Sequence, residues 1–237
     1  MTFQLTEPTL LIGLGGVGAK LTEKAKKSLN SDCLLISNDQ KDLDVENSIK
    51  ISTKSVINPS THLIRGAALE TSDEIRKNIS NYSTVILMSN LAGKAGSGIG
   101  PIVSRICKQE QKNLLSFVIM PFKFEKERIF QSGISLKRIR QDSQCTIVVD
   151  NDALLDSNPD LTQKQCYDIS NKAIESMMHS LKSSEISENT NILTTGKDAN
   201  DIEVSLKDSL RMLYEDAPPN SIKRSMLYVY GNGNIPV

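Results

Sequence analysis

Residues 85–101, Val-Ile-Leu-Met-Ser-Asn-Leu-Ala-Gly-Lys-Ala-Gly-Ser-Gly-Ile-Gly-Pro, run from an apolar strand through a glycine-dense loop into a helix. The same order occurs near the start of the chain. There Thr9-Leu10-Leu11-Ile12 leads into Gly13-Leu14-Gly15-Gly16-Val17-Gly18 and then a helical stretch over 19–29. Lacking Cβ atoms, such loops can turn through positive φ and bring backbone N–H groups against an anion, and the helix that follows adds its positive end. Two strand, glycine loop and helix units in one domain predict a polyphosphate held from two sides.

Further compact apolar runs lie at 33–37, 115–120 and 146–149, and with 10–12 and 85–88 they suit strands buried on both faces. Helical stretches at 19–29, 64–79, 101–111 and 134–140 alternate with them. This alternation predicts an α/β fold with a doubly wound, mostly parallel sheet and a ligand at the carboxyl ends of its strands. A longer helix is predicted over 161–181, with Cys166, Ile169, Ala173, Ile174, Met177, Met178 and Leu181 as its core-facing stripe. Polar residues 182–191 read as a linker or surface loop, 201–213 as a helix and 225–230 as a strand. One helix and one strand cannot build their own core, so this tail is expected to pack on the first domain.

Lys and Arg total 28, as do Asp and Glu, which leaves no basic stripe for nucleic acid. No apolar run is long enough for membrane insertion, so the chain reads as cytoplasmic. Cys33, Cys107, Cys145 and Cys166 lie far apart and the only histidines are His62 and His179, which predicts buried reduced thiols and no metal site. Taken alone, the first loop with Asp39 following about 20 residues on fits a dinucleotide site, and so a Rossmann-type NAD oxidoreductase. Tight packing of glycine turns explains it as well. The second loop favours a nucleoside triphosphate, because a dinucleotide fold needs no second cradle.

The order of motifs resembles the tubulin/FtsZ family. Ala92-Gly93-Lys94-Ala95-Gly96-Ser97-Gly98 resembles its Gly-Gly-Gly-Thr-Gly-Thr-Gly signature, and Ser37-Asn38-Asp39 its Asn-Thr-Asp. Asn58-Pro59 with Arg65-Gly66-Ala67-Ala68 is similar to its third phosphate-side loop. Met120-Pro121-Phe122-Lys123-Phe124-Glu125 resembles Lys-Pro-Phe-Asn-Phe-Glu, and Asp150-Asn151-Asp152-Ala153-Leu154-Leu155 resembles Pro-Asn-Asp-Lys-Leu-Leu. The resemblance implies that Gly15, Gly16, Val17, Gly18 and Lys20 line the α/β-phosphates, with Asp39 nearby. It places Gly93, Lys94, Ala95, Gly96, Ser97 and Gly98 at the β/γ-phosphates. Glu125 and Arg128 match the ribose and phosphate contacts, Asn151 the nucleoside contact and Tyr167 the aromatic that stacks on guanine.

Departures from the family pattern carry their own expectations. Ala95 replaces the signature threonine, Lys94 a glycine, Lys20 an asparagine and Lys172 the aspartate that reads guanine. A lysine cannot accept guanine's hydrogen bonds, so neighbouring Asn171 is the substitute. The family's acidic loop for hydrolysis either falls on Asp198 and Asp201 or is absent, in which case these acids only complement the start of a helix. No catalytic residue is therefore assigned.

The resemblance implies a nucleotide-binding domain over 1–182 and a linker with a reduced second-domain remnant over 183–237. It implies GTP or GDP as ligand with magnesium optional, slow or absent hydrolysis, and a division-related assembly or regulatory role. The chain itself or a full-length relative would be the partner. An active polymerising GTPase, the NAD-binding oxidoreductase and a nucleotide-free scaffold remain as alternatives.

Overall fold

The computed structural model describes residues 2–43, 47–54, 57–181, 186–196 and 201–227. Its central sheet is built from β2 (Thr9–Leu14), β3 (Asp32–Ser37), β4 (Ser48–Lys50), β5 (Thr84–Asn90), β6 (Asn113–Met120), β7 (Cys145–Asp150) and β9 (Asn189–Ile192). The strands lie in the order β4-β3-β2-β5-β6-β7-β9, and every pairing is parallel. A separate antiparallel pair joins β1 (Thr2–Phe3) to β8 (Ile186–Ser187). The chain winds outward from β2 to β4, then returns to β5 and winds the other way. The order therefore reverses between β2 and β5, and a ligand crevice opens at such a switch point.

Helices cover both faces. α1 (Gly15–Leu29) and α7 (Gln163–Ser180) pack on one, and α2 (Thr61–Glu70), α3 (Ser72–Ile79) and α4 (Lys94–Gln109) on the other. Alternation along β2 shows why: Leu10 and Ile12 join the core under α2 to α4, and Leu11 joins the core under α1 and α7. The stripe expected on α7 is buried at Cys166, Ile174, Met177, Met178 and, just past its end, Leu181, whereas Ile169 and Ala173 are half-buried. Cys107, Cys145 and Cys166 are buried free thiols and Cys33 is half-buried. Burial pushes Cys107 up to about 12, which keeps it an inert thiol.

Several boundaries differ from expectation for physical reasons. The helix expected over 64–79 is two, because Thr71 Oγ1 bonds back to the Ala67 carbonyl and Ser72 Oγ to that of Leu69. α1 and α4 begin at Gly15 and Lys94, not at 19 and 101. The polar segment taken for a surface loop supplies β8 and β9, with Cys145 paired to Asn189. α5 (Lys126–Asp142), α6 (Asn151–Ser157) and α8 (Ile202–Asp216) complete the fold. α8 packs on the main body as expected, with Met212 buried beside Phe122, Ala153, Leu154 and Cys166. The strand expected at 225–230 has no strand structure at 225–227, and its remainder lies outside the described residues. Among the described residues no helix is long and apolar enough to cross a membrane.

Candidate functional site

The two glycine loops leave β2 and β5, the strands that flank the switch point, and they meet. A Cβ placed on Gly15, which adopts φ +64°, would stand 3.0 Å from the Cβ of Ala95. Each loop is also the first turn of its helix. The opening N–H groups of a helix have no partner within it, so α1 and α4 present two bundles of free donors side by side. In α4 the first ladder bond runs from Ser97 N–H to Gly93 O at 3.0 Å, which leaves the N–H groups of Lys94, Ala95 and Gly96 ahead of it. Gly98 lies deeper in the helix, against Ile64 and Thr61. Gly18 sits against the Met88 carbonyl and Gly96 against that of Asn90. These glycines let helix and strand approach closely, whereas an added Cβ would meet the Asp42 carboxylate at Gly16 and only the Asn90 oxygen, at 3.3 Å, at Gly93.

Pro101 sits inside α4 and has no N–H for the Ser97 carbonyl one turn earlier. Two side chains from neighbouring helices take its place. Arg65 Nη2 of α2 donates to that oxygen at 3.0 Å and Ser135 Oγ of α5 at 2.7 Å. The start of α4 is thereby tied to both flanking helices. Burial and the nearby Arg138 charge lower the Arg65 pKa, and its Nε has no partner. Ser97 Oγ is itself committed to the Gly93 carbonyl at 2.9 Å.

Around the second loop, Asn90 is a junction that sequence reasoning missed. Its Oδ1 accepts from Ala92 N–H at 2.9 Å and its side chain also bonds Tyr167. Burial, followed by the Glu125 charge, raises the Tyr167 pKa. The tyrosine packs edge-on to Phe122 at 5.4 Å, and Phe122 stacks on Phe124 at 5.1 Å. Glu125 pairs with Arg128 at 2.6 Å and accepts from Phe122 N–H at 3.1 Å. Signature loop, aromatic run and the Glu125–Arg128 pair thus form one connected patch.

Asn151 is fully buried, its Oδ1 accepting from Ser170 Oγ at 2.6 Å. Its Nδ2 has no hydrogen-bond partner, and neither has Asn171 Oδ1. A buried unpaired donor and acceptor are costly unless a ligand completes them. Asp39 is turned to Lys41 at 3.1 Å, and that hydrogen bond lowers its pKa. The carboxylate that borders the first loop is instead Asp42, whose Oδ1 would meet a Cβ on Gly16 at 2.8 Å and whose Oδ2 accepts from Ser37 Oγ. Its only sequence signal is its place three residues after Asp39. Lys20 and Lys172 are exposed. Asp201 caps α8, with Oδ1 accepting from Glu203 and Val204 N–H at 2.8 and 3.1 Å, and Asp198 lies outside the described residues.

The end of β7 carries one further group. Asp216, in the last turn of α8, hydrogen-bonds Asp150, with Asp152 and the Lys123 ammonium close by. Burial, then the Asp150 charge, push Asp216 from 3.8 up to about 7. A carboxyl whose folded pKa lies above its unfolded value stabilises fully below the lower value, and this contribution is lost as pH rises through the higher one. Melting from pH 4 to 8 should therefore show wild-type stability falling, up to about pH 7, relative to Asp216→Asn. Parallel curves would show that no proton is shared there.

Comparison with known proteins fits this geometry. Residues 9–159, more than half of the chain, match the Tubulin/FtsZ family, GTPase domain. Cell division protein FtsZ 1 of Halobacterium salinarum is 27% identical over 186 residues, covering 73% of this chain and 45% of that protein. FtsZ 1 of Thermococcus kodakarensis is 22% identical over 240 residues, covering 94% of this chain and 61% of the relative. The chain thus spans about half the length of the first of these relatives. An empty FtsZ dimer from M. jannaschii superposes with a TM-score of 0.65 at 20% identity, covering 76% of this chain and 57% of that one. TubZ of Clostridium botulinum phage c-st does so at 0.61 and 17%, covering 88% and 75%. With its strand-order switch point, paired glycine loops and matched domain, the chain belongs to the Tubulin/FtsZ family as a divergent FtsZ-like member.

Proposed function

We propose that this chain binds a guanine nucleotide across the carboxyl ends of β2, β5, β6 and β7 and hydrolyses it slowly or not at all. The observation that carries the reading is the convergence of two glycine-opened helix starts, with Gly15 and Ala95 in near contact. The N–H groups of Gly15, Gly16 and Val17, and of Lys94, Ala95 and Gly96, would hold the phosphates, helped by both helix dipoles. Glu125 and Arg128 would face the sugar side and Tyr167 the base. Asn151 Nδ2 and Asn171 Oδ1 supply the unpaired donor and acceptor that a guanine edge can satisfy.

Slow hydrolysis follows from what the site lacks. Ala95 is buried in the core where a hydroxyl would stand near the reacting phosphate, and Asp201 is spent on capping α8. Phosphoryl transfer depends on positioning groups, so their loss removes most of the rate. Nucleotide would then act as a structural ligand or switch in a cytoplasmic, division-related assembly or regulatory factor, partnered by itself or by a full-length FtsZ-like relative.

Thermal shift with GTP, GDP, ATP and NAD, with and without magnesium, tests this reading. A ligand at 100 times its dissociation constant adds about 2.7 kcal/mol. Stabilisation by GTP and GDP alone is expected. A response to NAD alone, or to none of the four, would overturn it.

A further inference from the structure

Lys94, the first residue of α4, is a cation at the mouth of the signature loop. Its Nζ donates to Asn58 Oδ1 at 2.6 Å. Asn58 lies between β4 and α2, so this bond closes the loop after β5 onto the loop that follows the edge strand β4. Asn151 follows β7 and Glu125 follows β6, and Tyr167 meets Asn90 and Phe122 at the ends of β5 and β6. A nucleotide with its base among these residues and its phosphates on the glycine loops runs along the strand ends toward β4. Lys94 and Asn58 stand at the far end of that line.

The Asn58 oxygen is neutral, and among the described residues no carboxylate forms an ion pair with Lys94. An ammonium held by a neutral amide gains when a phosphate oxygen replaces it, because charge-assisted bonds are the stronger ones. The long lysine stem can make that exchange without moving the backbone. Magnesium at a nucleotide is held largely by phosphates and water, so its presence is made a variable of the test below.

We propose that Lys94 is a built-in counter-charge for the terminal phosphate of a nucleoside triphosphate, doing locally what a magnesium ion would otherwise do. This rests on the nucleotide reading above, for which the fully buried, unpartnered Asn151 Nδ2 is separate support. It makes Lys94 the residue that separates triphosphate from diphosphate.

Calorimetric titration of the full chain with GTP and with GDP, in EDTA and in magnesium, tests the assignment on wild type, Lys94→Met and Lys94→Gly. In EDTA the wild type should bind GTP at least as tightly as GDP. Both variants should lose about tenfold or more in GTP affinity, the scale of a charged hydrogen bond, with GDP little changed. Magnesium should restore most of that loss while leaving the wild type nearly unaltered. The assignment is overturned if Lys94→Met binds GTP as the wild type does, if GTP and GDP weaken together, or if Lys94→Gly binds GTP more tightly because a crowding side chain is gone. Failure of the wild type to bind either nucleotide would instead remove the nucleotide reading and this assignment with it.

Discussion

Gly96→Ala is expected to destabilise the whole chain by about 3 kcal/mol or more, as backbone overpacking does at its severe end. A Cβ at Gly96 would press on the Asn90 carbonyl and its carbon, and on Ser89 Oγ, closer than real contacts allow. These are the end of a strand buried along its full length, so the neighbour cannot yield cheaply. Gly93→Ala makes the opposite case within the same motif. Its nearest neighbour would be the Asn90 oxygen at 3.3 Å, a contact that a small shift relieves. Gly93→Ala should therefore melt within about 1 kcal/mol of wild type while weakening nucleotide binding, because the added methyl stands at the open side of the loop. Urea unfolding of both variants, paired with nucleotide titration of Gly93→Ala, separates a glycine kept for packing from one kept for the ligand. Equal stability of Gly96→Ala and wild type would mean that α4 does not lie as close to β5 as described.

Phe122→Ala should cost about 3–5 kcal/mol, the range for removing a buried aromatic ring. The ring is 1% exposed, stacked on Phe124 and met edge-on by Tyr167. It shares its cluster with Leu154 of α6, Cys166 of α7 and Met212 of α8, so its loss opens a cavity where three helices meet. Tyr167 would lose the surface that holds its ring edge-on. The expected readout is a lower unfolding midpoint at unchanged denaturant slope, together with a larger proportional loss of guanine nucleotide than of inorganic phosphate binding. A loss of stability near 1 kcal/mol would place Phe122 on a surface loop rather than in a core.

β2, β3, β5, β6 and β7 were legible because each holds a compact apolar run, as in Val85 to Met88 of β5 between Thr84 and Ser89, whereas β4, with one isoleucine between Ser48 and Lys50, was not. Helix starts were less legible. Glycine costs about 1 kcal/mol against alanine in a helix, so Gly15-Gly16 and Gly96-Ser97-Gly98 read as loop. Glycine is required at Gly18 and Gly96 because the carbonyls of Met88 and Asn90, near the end of the adjoining strand β5, leave no room for a Cβ. β9 carries only one apolar residue in Asn189-Thr190-Asn191-Ile192, and its place comes from pairing with β7. The same distance in sequence hid Asn90, Asp42 and Asp216. Each acquires its role from a neighbour on another element, and none stands out by residue type.

Among the described residues, both margins of the central sheet are poor templates for another strand. At one side β4 has only three residues, and at the other β9 has four, three of them polar and two exposed. Short polar margins discourage recruitment of a neighbouring sheet. Side-by-side fusion of copies into a continuous ribbon is thus disfavoured by the architecture itself. Among the described residues, contact between copies through the helical faces or the strand ends is therefore favoured over pairing along the sheet margins.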